Sequence, residues 1–364
     1  MKITRVETDL FRLPLPRPVP MPGSQDPRPV SHVEVVVVRL LTDTPQVGIG
    51  FADSFGGGAA VRAVIDTQLS AVAVGEDPLH TEWLWARMRA ELEGTGFGGP
   101  AARACAAVDL AAWDVKGKAL GSVPVYQLLG GYRTRMKAVT VGVATPAVGL
   151  KQAVRDCKVA LDQGSAGIQI DVGTQDPDLD YDRLRQLRDE IPDGAWFEVN
   201  AGGRYDFATA VWLGTVGAEE LGVDGFGDPL RADDVNLRRL TDRLNVGVSV
   251  GGFLDRVEDF TRVIDAGGIE SVRIDPIRLG GLTPARKVAL AAELKQVAIY
   301  PVRVAEVGTH LGAGCVYGRM CEHTDWFAGL FAGGPQFANG QLCVSDAPGL
   351  GLSLKDDANQ WRIG

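Results

Sequence analysis

At 364 residues the chain is long enough for two domains, and with 45% hydrophobic and 23% charged residues it has the balance of a globular protein rather than a disordered one. Its net charge of −9 argues against non-specific nucleic-acid binding, which needs a basic surface. No apolar run reaches the length of a membrane span.

The first residues, MKITRVETDLF, alternate like a strand and lack the apolar core of a secretion signal, so a cytoplasmic location is expected. Strands are predicted over residues 3–13 and 31–41. Residues 14–30 between them are dense in proline and are expected to be irregular. Residues 48–58, GIGFADSFGGG, read as a second mobile loop. Helical patterns follow over 59–74 and 79–92. Residues 107–131, AVDLAAWDVKGKALGSVPVYQLLGG, place Val108, Leu110, Ala111, Ala112, Trp113 and Val115 on an apolar helical face. Gly121 and Pro124 break that helix, and a second short one starts at Val125. A few strands followed by helices make an α+β domain.

Beyond Gly131 the rhythm changes. Short β-branched runs at 137–143, 167–172, 196–199, 223–226, 246–250, 271–274 and 297–302 alternate with helices at 146–163, 180–190, 207–213, 235–244, 256–266 and 284–294. Their spacing of roughly 25–30 residues suits a βα unit. This many parallel units closes most economically as a barrel, with its functional end at the C-terminal ends of the strands. Cys105, Cys157, Cys315, Cys321 and Cys343 are odd in number and lack a Cys-x-x-Cys pair, which fits reduced core thiols.

The 107–131 string is more specific than its periodicity. An Asp, a Trp-Asp, a Lys-Gly-Lys and a closing Leu-Leu-Gly-Gly in this order resemble the helix that joins cap to barrel in the enolase superfamily, and most closely its mandelate racemase/muconate lactonising branch. The tail, QLCVSDAPGLGLS, carries the Pro-Gly-Leu-Gly turn common near that family's end. The resemblance covers nearly the whole chain. It implies an α/β architecture: an α+β capping domain over 1–132, a modified (β/α)7β barrel over 133–325, and a segment over 326–364 that returns to the cap. It further implies a small-molecule ligand under the cap, two cap loops closing over it, and a homo-oligomer, commonly a dimer or an octamer.

In that family three carboxylates on successive strands hold Mg²⁺, and the metal stabilises an enediolate formed when a base removes the proton next to a carboxylate. The family's Lys-x-Lys positions hold Gln169 and Asp171 here, whose i, i+2 spacing directs both into the barrel mouth. The ligand positions hold Asn200, Gly227 and Gly252, so one acid is an amide and two side chains are lost. Asp228 is one residue out of register and expected to point away, Glu198 lies two residues deeper than Asn200, and Asp255 falls in the next loop. Such a set makes a poor octahedral cage, so no metal is expected. Asp275 stands at the family's dyad Asp, in a matching Asp-x-x-Arg-x-Gly-Gly turn, but Val302 replaces its His partner. Glu322 falls near the family's acid on the eighth strand.

Arg273 shares parity with Asp275 and should point inward. It is expected to pair with Glu198, Asp171 and Asp275, which would place a guanidinium where the dication's charge was needed. Among the histidines, His32, His80 and His310 read as structural, whereas His323, beside Glu322, is a candidate for ligand contact. No phosphate-binding glycine loop or nucleophile elbow is present.

The candidate set is therefore Asp171, Asp275 and Glu322 for proton transfer, and Gln169, Asn200, Arg273 and His323 for ligand binding, with no cofactor. Three readings follow. The chain is a metal-independent lyase or isomerase of a small carboxylate or amino-acid-like molecule, or a non-catalytic binding or scaffold barrel. The third is a Mg²⁺-dependent racemase or dehydratase whose ligands, Asn200, Asp228 and Asp255, are displaced.

Overall fold

The structure, a computed structural model, describes residues 1–20, 29–232 and 234–364. Three antiparallel strands in the order β1-β2-β3 open the chain: β1 Ile3–Pro20, β2 Pro29–Thr42 and β3 Val47–Ser54. Two expectations change here. Strand β1 continues through Pro14, Pro16 and Pro18, because it is an edge strand and an edge tolerates prolines that lack a ladder donor. The register slips between Pro14↔His32 and Val19↔Val30 to absorb them. Residues 21–28 of the expected proline-rich loop lie outside the described residues. The stretch expected to be a mobile loop at 48–58 is instead strand β3 up to Ser54.

The glycines of β3 have a packing reason. The helix Gly99–Ala119 crosses the sheet so closely that a Cβ at Gly48 would lie 2.1 Å from the Ala111 carbonyl oxygen, and one at Gly50 2.1 Å from that of Ala107. This helix is the part of the 107–131 string that joins everything else. Asp114 accepts hydrogen bonds from the Ile49 N–H in the cap and from the Leu350 N–H in the tail, each at 2.8 Å. Asp109 accepts from the Thr283 N–H and hydroxyl on a barrel helix, and the Trp113 indole donates to the same hydroxyl at 2.9 Å. Burial raises the Asp109 carboxyl to about 7, with the Thr283 donors pulling the other way.

The barrel strands are β4 Arg135–Ala144, β5 Gly167–Asp171, β6 Trp196–Asn200, β7 Gly225–Gly227, β8 Gly247–Val250, β9 Ser271–Ile274, β10 Ala298–Pro301 and β11 Met320–His323. They pair in parallel from β4 through β10, and β11 pairs in parallel with β4. Between β10 and β11 the sheet is bridged at Ile299↔Gly318. Long helices such as Leu150–Asp162, Phe207–Leu221 and Leu282–Leu294 follow the strands, within a few residues of their expected places except that the helix after β6 runs eight residues further. In the tail, β12 Phe331–Gly333 pairs with β15 Leu352–Leu354, and β13 Gln336–Ala338 pairs with β14 Gln341–Cys343. Strand β14 runs antiparallel to β4. The chain end does return to the cap: the Ile363 N–H donates to the Leu10 carbonyl at 2.8 Å, and Arg362 pairs with Asp9. All five cysteines are free, and Cys105, Cys157, Cys315 and Cys321 are buried. No helix among the described residues is long and apolar enough to cross a membrane.

The close approach of helix and sheet predicts that Gly50→Ala forces the two apart. We expect a loss of about 1–3 kcal/mol in urea unfolding, the range for overpacking a well-filled interior, whereas Gly94→Ala, where a Cβ meets nothing within 4 Å and the backbone is not left-handed, changes stability far less.

Candidate active site at the barrel mouth

Parallel register sets the layers of the mouth. Gln169 of β5 is level with Glu198 of β6, while Asp171, Asn200 and Gly227 are level one layer higher. The Gln169 amide donates to Asp171 Oδ1 at 2.9 Å and the Asn200 amide donates to the same oxygen at 3.0 Å. Asp171 Oδ2 accepts no hydrogen bond from a described residue. Burial raises this carboxyl above the usual carboxylate range, against the Asn200 donor, the charges of Arg204 and Arg273, and the Gln169 donor.

Arg273 rises from β9 into the centre and is 2% exposed. Its Nη1 donates to Glu198 Oε1 and its Nη2 to Glu322 Oε1. Nη2 also donates to Gln169 Oε1 at 2.7 Å, and Nε lies 3.2 Å from Asp228 Oδ2. The Tyr300 ring lies 5.0 Å beneath the guanidinium. Arg273 therefore points inward as expected, but its partners are Glu198, Asp228 and Glu322 rather than Glu198, Asp171 and Asp275. Asp228 is the correction with the clearest cause. Its φ of 38° is left-handed, which turns the side chain inward instead of away. There its carboxylate also accepts from the Gly251 N–H at 2.8 Å and the Gly252 N–H at 3.3 Å.

The missing side chains at 227 and 252 follow from this arrangement. A Cβ at Gly227 would lie 2.7 Å from Arg273 Nη1, and one at Gly252 2.7 Å from Asp228 Oδ2. Burial opposes the charge on Arg273, but Glu198, Glu322 and Asp228 outweigh it and hold the guanidinium charged more firmly than usual. Burial likewise raises Glu198 and Asp228, with Arg273 the largest opposing influence. Glu322 is raised to about 7 by burial and by the charges of Glu198 and Asp171, against Arg273 and the Arg303 N–H.

A second network, not read from the sequence, lies beside the first. Arg303 follows Val302 with a φ of 72°. Its Nη2 pairs with Asp53 of cap strand β3, its Nε lies 3.1 Å from Asp275 Oδ2, and its N–H donates to Glu322 Oε2 at 2.7 Å. Arg103 lies 3.7 Å from the fully buried Asp53. The Arg303 guanidinium lies 5.3 Å from the Phe55 ring and 5.7 Å from the Trp326 ring, and those two rings pack edge-on against each other. Asp275 is thus committed elsewhere: Oδ1 caps the short helix Pro276–Leu279 through the Ile277 and Arg278 N–H groups, and Oδ2 faces Arg303. Arg303 stands one residue past the position where a His was sought, and strand parity gave no sign that a left-handed turn would aim it into the mouth.

These side chains line an inner chamber of about 110 Å³. Gln169, Asp171, Asn200, Asp228, Arg273, Glu322, Arg204, Arg303, Val302 and Trp326 are on its wall. Asp275 and His323 are not. His323 has the opposite parity to Glu322 and stacks on Phe337 with ring centroids 4.5 Å apart, outside the barrel, where burial lowers its basicity. His310 is structural: it accepts from the Tyr126 N–H, its Nε2 faces the Leu350 carbonyl, and burial holds it near a pKa of about 4. Asp255 turns toward the cap, its Oδ2 3.1 Å from where a Gly98 Cβ would be.

The donor chemistry of this mouth does not fit a Mg²⁺ ion at the ends of β6, β7 and β8. An amide stands on the first, hydrogens on the other two, and a guanidinium with its three carboxylates fills the space between. Among the described residues no group of three His, Cys, Asp or Glu is arranged to hold a metal ion.

Removing the central cation tests the network. Arg273→Met strands Glu198, Asp228 and Glu322 without their cation, and we expect a loss of about 3–5 kcal/mol at pH 7.5 in urea unfolding. The variant's carboxyls titrate higher than the wild type's when folded. A carboxyl raised on folding stabilises below its unfolded value and loses that contribution as pH rises, so the deficit should narrow between pH 7.5 and 5.

With this geometry in view, comparisons place the chain. Residues 9–130 match the mandelate racemase/muconate lactonizing enzyme N-terminal domain, and residues 152–358 match the enolase C-terminal domain-like family. The L-talarate/galactarate dehydratase of Salmonella typhimurium is 26% identical, with 99% of this chain and 91% of that relative covered. Its structure with Mg and L-lyxarohydroxamate superposes with a TM-score of 0.93 at 25% identity, covering 100% of this chain and 93% of that one. The 3,6-anhydro-alpha-L-galactonate cycloisomerase of Streptomyces coelicolor is 28% identical over 97% of both chains. A racemase structure from Streptomyces coelicolor with bound magnesium has a TM-score of 0.91 at 26% identity, covering 99% of this chain and 100% of that one. Together, the two matched domains and the cap-over-barrel architecture show that the chain belongs to the mandelate racemase/muconate lactonizing enzyme family of the enolase superfamily.

Proposed function

We propose that this family member is a lyase or isomerase that moves a proton on a small carboxylate or amino-acid-like molecule without a divalent cation. One observation carries the reading: the buried Arg273 guanidinium, with Glu198, Asp228 and Glu322, fills the space between the strand ends, and Gly227 is what gives it room. The relatives supply the substrate class, since they are dehydratases, cycloisomerases and racemases of sugar acids and amino acids. The magnesium of the solved relatives is not carried over, because this chain's own residues do not suit it.

In this reading Asp171 is the base. Its Oδ1 is fixed by two amides, its Oδ2 has no protein donor, and burial makes it a stronger base than an exposed aspartate. Oδ2 takes the proton from the carbon beside the ligand's carboxylate, and the C–H electron pair stays on the ligand. Glu322, raised to about 7 on β11, is the acid; only strand β4 separates it from Asp171 on β5. It returns a proton to carbon in an isomerase, or gives it to the departing group in a lyase. Arg204 and Arg303 face the ligand's negative charge from the same wall lining. A second reading, a binding barrel without turnover, is favoured by one feature: both oxygens of Glu322 are engaged, by Arg273 and by the Arg303 N–H.

Proton exchange separates these. Sugar acids and amino acids incubated with the protein in D₂O and EDTA should show deuterium at the carbon beside the carboxylate by NMR. Asp171→Asn should slow that exchange at least about a hundredfold, the usual scale of a general base, while thermal shift by the same compound persists. A thermal shift without exchange in the wild type establishes the binding barrel, and exchange abolished by EDTA and restored by Mg²⁺ overturns the metal-free chemistry.

A further inference from the structure

We infer that the barrel mouth carries a second, outer subsite for an anionic group, a carboxylate or a phosphate, at the far end of a ligand whose other end lies in the inner chamber. This rests on the reading that the inner chamber takes a small carboxylate. An outer chamber of about 410 Å³ adjoins the inner one, and the two share Gly202, Arg204, Asp228 and Phe253 on their walls. Among the described residues, the outer wall carries three guanidinium groups, Arg204, Arg231 and Arg278, against one carboxylate. That carboxylate, Asp228, is already held by two backbone N–H groups and lies beside Arg273.

Each of the three arginines has charge to spare. Arg204 donates from Nη1 to the carbonyls of Val172 at 2.8 Å and Ala201 at 3.3 Å, and has no carboxylate partner among the described residues. Arg231 is exposed and forms no ion pair with a described residue. Arg278 has Asp275 4.0 Å away, but that carboxylate is closer to Arg303, at 3.1 Å. The Arg278 Nε is buried with no hydrogen-bond partner, and its guanidinium lies over the Phe253 ring at 5.3 Å. Burial and the neighbouring Arg303 and Arg103 depress the basicity of Arg278, with Asp275 opposing, as expected of a cation in surplus.

The turn between the chambers is built for this crowding. Gly202 and Gly203 have left-handed φ values of 59° and 69°. A Cβ on Gly202 would lie 3.2 Å from Arg204 Nη1, and one on Gly203 3.6 Å from Arg231 Cγ. The missing side chain at Gly202 gives Arg204 its place against the turn, whereas a Cβ at Gly203 would meet Arg231 only in ordinary contact. Planar guanidinium forks match the paired oxygens of a carboxylate or phosphate. In a chain of net charge −9, three such forks around one cavity select an anion rather than a neutral tail.

Calorimetry on the full chain with succinate, glutarate and adipate, each against the matching monocarboxylate butyrate, valerate or hexanoate, tests the subsite. At least one dicarboxylate should bind about a hundredfold more tightly than its partner, and Arg231→Gln and Arg278→Gln, which line the outer chamber only, should each reduce that gap about tenfold. Crystals soaked in selenate should show an anomalous peak touching at least two of the three guanidiniums. Competition by inorganic phosphate stronger than by acetate identifies a phosphate-bearing ligand, and the reverse a carboxylate. Equal affinity within every pair, a gap unchanged in both variants, or a selenate peak that persists in both as an adventitious ion overturns the subsite. Selenate held by the arginines with no carboxylate bound in the inner chamber keeps the subsite and removes the proposed function. Monocarboxylates bound as tightly as diacids do the opposite.

Discussion

A single buried guanidinium constrains this barrel. An arginine out of water is costly unless its charge is paired, and Arg273 meets partners from four directions at once. Glu198 comes from β6, Asp228 from the end of β7, Glu322 from β11, and the Gln169 carbonyl from β5. The side chain thus ties β9 to strands across the lumen, work that apolar layers do in most barrels of this kind. Once it is there, Gly227 and Gly252 stop being independent choices. Any side chain at 227 meets the guanidinium, and any at 252 meets the carboxylate beside it.

The cap is joined to that centre through charge as well as packing. The helix Gly99–Ala119 presents Asp109 to the barrel and Asp114 to the cap strand and the tail, so both domains and the chain end share one rigid element. From the cap sheet, Asp53 reaches Arg303, and Arg303 in turn touches Asp275 and, through its N–H, Glu322. A displacement of strand β3 is therefore felt at the carboxylate that faces Arg273. Phe55 of the cap and Trp326 of the tail pack against each other and together cover one side of the Arg303 guanidinium.

Much of this was legible in the sequence because it depends on periodicity. Alternating strands and helices gave the barrel, and i, i+2 parity correctly sent Gln169, Asp171, Glu198, Asn200 and Arg273 inward. What failed were the places where the backbone leaves the regular pleat. Asp228 and Arg303 both have left-handed φ, at 38° and 72°, and parity says nothing about the direction of a residue in that region. The prolines of β1 and the glycines of β3 look like breakers in one dimension. They are compatible with an edge strand and demanded by a helix passing at contact distance, and neither neighbour is visible from the local string. His323 and Asp275 show the converse error, in which a chemically attractive residue is placed in the mouth by its company rather than by its direction.

The two charge networks differ in balance, and that difference gives the mouth a direction. Around Arg273 three carboxylates surround one cation, and burial pushes all three toward their protonated forms. Around Arg303 the sense is opposite: Arg103, Arg278 and Arg303 face Asp53 and Asp275, while Arg204 and Arg231 form no ion pair with a described residue. In the function proposed above, a carboxylate ligand entering between them would be drawn by its charge toward the arginines and away from the acid cluster, so that its non-ionic carbon would meet Asp171 and Glu322. The polarity of the chamber would then orient the molecule before any proton moves, which a symmetric arrangement of the same residues would not do. The two sides also differ in what burial does: it raises the three carboxyls around Arg273, while on the basic side Arg204 and Arg231 form no ion pair with a described residue.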